Sequence, residues 1–110
     1  MKSASRHWWF QRVSAVVLIP LIGWFSIAVF GQISASYEEA RAWLGHPLNG
    51  GLMIVSLFAL YWHARFGLQV VAEDYVSSAV KRRWLLLGVN GILLVWIVTA
   101  VVAVCTIMGF

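Results

Sequence analysis

The sequence predicts an all-α integral membrane protein with three transmembrane helices. Charge scarcity, charge position and run length carry that expectation. Hydrophobic residues make up 62% of the chain and charged ones 11%, against about 25% charged in a soluble domain. The charges cut the chain into long uncharged runs at Val13–Tyr37, Ala42–Ala64 and Trp84–Phe110. Each run exceeds the ~20 residues with which a helix crosses a hydrocarbon core of ~30 Å. Backbone polar groups find no water in lipid, so these runs are expected as helices rather than open strands.

Helix 1 is expected over about 13–33, with Pro20 bending it. Its apolar run is longer than the roughly 7–15 residues of a signal peptide, which reads as a retained helix. The stretch "SASYEEARAWLGHPLNGG" (34–51) reads as a loop with a short interfacial helical turn around Glu38–Leu44. Pro47, Asn49 and Gly50 punctuate the start of helix 2, expected over about 50–75. Helix 3 is expected over about 84–108, and the whole chain, 1–110, forms a single transmembrane domain. No segment between the helices is long enough for a soluble catalytic core, so the chain is not expected to be an enzyme by itself.

Lys2, Arg6 and Arg12 precede helix 1, and Lys81, Arg82 and Arg83 lie between helices 2 and 3. The intervening loop offers only Arg41. The positive-inside rule therefore puts the N-terminus and the 76–83 connection in the cytoplasm and the C-terminus outside. Basic residues cluster only at "KRR" (81–83), so the expected partner is membrane lipid and not nucleic acid. Trp8, Trp9, Trp43 and Trp84 fall near the expected interfaces, as an aromatic belt does. The lone Cys105 allows no intrachain disulfide.

The chemistry concentrates in "YWHARFGLQVVAEDYV" (61–76). His63 lies mid-span, where an ionisable side chain is costly and marks a candidate functional site. A neutral histidine bonded to a neighbouring helix is one reading; ligation of haem iron is the other. Gly67, one turn on, suits close approach of a macrocycle or a helix. Asp74 falls about 20° round from His63 and about 16 Å along the axis, with Tyr75 beside it. A phenol next to a carboxylate can donate to a quinone carbonyl and supply protons, although interfacial anchoring alone would also place these residues there. Arg65 lies about 200° round from His63 and has no place on this face.

The segment "HARFGLQVVAEDYV" resembles the second helix of the hydrophobic membrane anchor of succinate dehydrogenase. In that family a haem-ligating histidine is followed by glycine four residues on and by an Asp-Tyr pair at eleven and twelve. His63, Gly67, Asp74 and Tyr75 match that pattern, and "HWWFQRVSAVVLIPL" (7–21) resembles the family's entry into helix 1. Arg65 departs from it, standing where the family commonly has an apolar or aromatic residue.

The resemblance implies a four-subunit complex serving the tricarboxylic acid cycle and electron transport. A flavoprotein subunit oxidises succinate, an iron-sulfur subunit passes electrons on, and this chain with a sister cytochrome b anchor subunit completes a helical bundle that binds haem b and ubiquinone. It implies His63 as an axial ligand of the haem iron, Tyr75 as donor to the quinone and Asp74 as organiser of proton delivery. Arg12 is a candidate for a haem propionate, or for snorkelling to headgroups, and His7 is a weaker candidate nearby. The bacterial inner membrane is the expected location, ahead of the mitochondrial one. Two other readings stand beside this one: a structural anchor without haem, and a small membrane accessory protein unrelated to respiration.

Overall fold

The computed structural model describes residues 3–110; Lys2 and the side chain of His7 lie outside the described residues. The chain is helical, with α1 over Ser3–Gly31, α2 over Tyr37–Gly45, α3 over Pro47–Tyr75 and α4 over Ala79–Met108. Three of these are long and apolar enough to cross a membrane, at Trp8–Gly31, Pro47–Tyr75 and Ala79–Met108. The protein is a multi-pass membrane protein.

The helices begin earlier than the uncharged runs suggest. Arg6 and Arg12 lie inside α1, and Lys81, Arg82 and Arg83 form the first turns of α4. Charged side chains do not break a helix; they mark where it leaves hydrocarbon. α1 also runs unbroken through Pro20, whose ring removes one backbone donor.

Each connection has a local cause. Ser36 caps α2 by accepting from the Glu39 N–H at 3.1 Å, with Glu38 and Glu39 in the first turn, a favourable place for negative charge. His46 alone joins α2 to α3. Its backbone N–H closes α2 on the Trp43 carbonyl, its side chain accepts from the Leu48 N–H at 3.2 Å, and Pro47 opens α3. Proline fits there because the first-turn donor has no partner in any case. Ser78 caps α4 through the Lys81 N–H, and Gly109, at φ 95°, ends it in the left-handed conformation that glycine adopts without strain.

α3 is the central element. It packs against α1 on one flank and α4 on another, and α2 sits across the ends of α3 and α4. Among the described residues the buried large or apolar side chains are few: Leu18, Tyr61, Ala72, Ile97 and Val104. Large side chains such as Ile19, Ile27, Phe30, Ile92 and Val95 face outward. In water such a surface would be an aggregation hazard; against lipid it costs nothing.

Candidate functional site

His63 is half-buried on the flank of α3 that meets α1. Its Nδ1 lies 3.1 Å from the Ser14 hydroxyl of α1, and that hydroxyl also reaches the Gln11 carbonyl, one turn back, at 2.9 Å. No hydrogen bond from the described residues reaches Nε2.

Gly67 faces the same helix. A Cβ placed on it would stand 3.2 Å from the Gln11 Nε2, so the missing side chain leaves the space in which the Gln11 amide sits. The Gln11 Oε1 is buried without a hydrogen-bond partner among the described residues. α1 thus covers this face at the level of His63 and Gly67.

Aromatic rings flank the contact. Phe10 stacks on Phe66 with centroids 5.6 Å apart, and Phe66 stacks on Trp62 at 5.7 Å. The guanidinium of Arg65 lies over Trp62, 5.4 Å from the ring centroid. This accounts for a charge inside the span: the cation meets the negative face of an indole. Beside the contact an apolar groove of about 410 Å³ runs between the helices, lined by Ser14, Val17, Ala59, Trp62 and Phe66 among others.

The remaining expected site residues stand apart. Arg12 is exposed and stacks over Trp8 at 5.3 Å. It projects about 200° round α1 from Ser14. Asp74 and Tyr75 end α3, both exposed, with Tyr75 83% accessible. Glu73 accepts from Gln69 at 3.2 Å and faces its own helix. The structure therefore brings His63 and Gly67 together with Ser14 and Gln11, two residues that the sequence does not single out.

The donor set is a single imidazole. Among the described residues no group of three or more His, Cys, Asp or Glu comes together that could hold a metal ion, so a closed protein cage is not built here. A lone half-buried imidazole with Nδ1 engaged and no hydrogen bond from the described residues at Nε2 can supply one ligand to a metal or cofactor.

Residues 1–108 match the family of succinate dehydrogenase/fumarate reductase transmembrane subunits. The chain belongs to that family. It is similar to the succinate dehydrogenase hydrophobic membrane anchor subunit of Rickettsia bellii, 30% identical over 94% of this chain and 82% of the relative. It is likewise similar to the succinate dehydrogenase membrane anchor subunit of Reclinomonas americana, 36% identical over 74% of this chain and 70% of that one. A shorter likeness, 31% identical over 51% of this chain and 46% of the relative, is to a fumarate reductase subunit of a Shewanella strain.

Proposed function

We propose that this chain is the membrane anchor of a succinate dehydrogenase, docks a flavoprotein and an iron-sulfur subunit, and shares a b-type haem with a sister anchor. The observation that carries the reading is His63: a half-buried imidazole inside a membrane span, held through Nδ1 and open at Nε2. The relatives matched over most of the chain are succinate dehydrogenase anchors, which favours succinate oxidation over fumarate reduction. The basic residues Arg6 and Arg12 in the first half of α1 and those at the start of α4 support an N-terminus on the cytoplasmic face of a bacterial inner membrane.

Haem, when bound, would supply a one-electron carrier. His63 would hold the iron, and Gly67 lets α1 close against α3 so that Ser14 reaches His63. Tyr75 donates its phenolic proton to a carbonyl of ubiquinone. Asp74, beside it, relays protons from the aqueous side. Both side chains point away from their own chain, which suits a substrate pocket completed by other subunits. Arg12 is the candidate for a haem propionate; its position on the far side of α1 gives it the least geometric support of the set.

The test is to purify the affinity-tagged chain in mild detergent and measure succinate-dependent ubiquinone reduction and the haem absorption spectrum. The expected result is an active complex whose b-type spectrum is lost in His63→Ala while the chain still inserts. A purified chain with no large partners and no activity would overturn the anchor reading. An unchanged haem spectrum in His63→Ala would overturn axial ligation alone.

A further inference from the structure

We infer that Ser14 is a positioning residue for His63, fixing the imidazole in the tautomer that carries its proton on Nδ1 and leaves the Nε2 lone pair free. The inference rests on the reading of His63 as an axial ligand.

A serine hydroxyl has one proton and can accept as well. The Gln11 carbonyl, 2.9 Å from Oγ, can only accept, so this contact is a hydrogen bond only if Ser14 donates to it. With that proton committed, the 3.1 Å contact to Nδ1 is a hydrogen bond only if Nδ1–H donates to Oγ. The opposite tautomer keeps one of the two bonds; this one keeps both. In a low-dielectric span, where no water substitutes, the difference weighs more than at a surface.

The chain Nδ1–H···Oγ–H···O=C is thus a one-way relay of donors ending on the backbone of α1. A metal needs an unprotonated nitrogen, so the free chain already holds the ligand in the required state. The rest of the α1–α3 contact keeps the two helices in this register: Gly67 admits the Gln11 amide, and Phe10 stacks on Phe66. His46 provides the contrast, because its Nδ1 accepts from the Leu48 N–H and its proton must sit on Nε2. Two histidines of one chain are held in opposite tautomers by their partners.

A hydrogen bond from Nδ1–H also makes the imidazole a more basic ligand, which favours the oxidised iron. Ser14→Ala is therefore expected to raise the haem midpoint potential in the purified complex and to weaken haem retention about 10–100-fold, the usual cost of losing an outer hydrogen bond to a metal-binding histidine. Ser14→Thr keeps the hydroxyl and is expected to restore both. Subunit stoichiometry, measured alongside, separates these effects from failure to assemble.

A second measurement does not need haem. In the full chain labelled with ¹⁵N-histidine and purified without haem, the His63 signals, assigned by their loss in His63→Ala, are expected to show a protonated Nδ1 and a bare Nε2. In Ser14→Ala the Nε2–H form should appear. A bare Nδ1 in the unaltered chain, or a potential equally shifted in Ser14→Ala and Ser14→Thr, would overturn the inference. Retention of haem by His63→Ala would instead remove the axial-ligand reading on which it stands, and the nitrogen spectrum tells the two failures apart.

Discussion

The two ends of the helical layer are built differently. At the end that carries α2, the chain closes on itself. A Cβ on Gly50 would stand 2.8 Å from the Leu44 carbonyl and from Met108 Cγ, and would also meet Met108 Sδ, while one on Gly45 would stand 3.1 Å from the Ile107 carbonyl. Trp24 stacks on Trp43 at 6.0 Å, and Asn49 donates to the Trp43 carbonyl at 3.0 Å. At the other end α3 runs out into Asp74 and Tyr75, both exposed, and the nearby basic residues of α4 make only one side-chain hydrogen bond among the described residues, from Arg82 to the Val76 carbonyl. One end is finished by its own side chains; the other presents polar groups outward. That asymmetry suits an anchor whose chemistry and partners meet it at one membrane face.

The largest effect should come from the open end. Tyr75→Phe removes a donor without altering packing, since the ring is almost wholly accessible in the chain. Ubiquinone reduction is expected to fall by about 10²-fold, the low end of what a positioned proton donor contributes. Succinate oxidation with a soluble dye should change little, because that acceptor does not use the phenol. Equal losses with both acceptors would take Tyr75 out of the quinone site.

The closed end should respond in stability instead. Gly50→Ala drives a methyl group into a backbone carbonyl, which cannot move aside as a side-chain end can. Overpacking of this kind costs about 1–3 kcal/mol, read as a lower unfolding temperature of the purified chain. Gly67→Ala meets only the tip of the Gln11 side chain at 3.2 Å, so its stability cost should be smaller than that of Gly50→Ala. Gly23, with nothing within 4 Å of its notional Cβ, is the control in which alanine should not destabilise. If Gly23→Ala proved as costly as Gly50→Ala, the contrast between the ends would not rest on packing.

The fold and the family are legible in the sequence because both rest on signals that survive without partners. Long uncharged runs specify spans, and His63, Gly67, Asp74 and Tyr75 sit at spacings on one helix that can be counted. The roles of Ser14 and Gln11 are not legible. α1 is apolar nearly all round, and a lipid-facing side and a packed side look alike when both are greasy. No period therefore marks the face of α1 that meets His63. The helix starts escape the sequence for a related reason: charge scarcity marks the uncharged runs, while α1 and α4 extend beyond those runs through Arg12 and Lys81. Arg65 makes sense only with its guanidinium placed over Trp62.

His46 sharpens the comparison with the smallest expected effect. His46 is exposed, yet its Nδ1 accepts the Leu48 N–H while its backbone closes α2. The Pro47 that follows it is the usable signal, since proline favours the first helical position and so places the cap one residue earlier. His46→Ala removes the acceptor but keeps the backbone contact, and should cost about 1 kcal/mol, as lost N-caps do. His46→Asn offers a shorter acceptor of the kind preferred at that position and should recover most of it. Recovery by asparagine but not by glutamine would show that the side chain acts as a cap on α3, with the expected haem spectrum and quinone activity unchanged. A shift in the haem spectrum in any of these variants would mean that the two ends are mechanically joined through α3, and the division between a self-contained end and a partner-facing one would have to be given up.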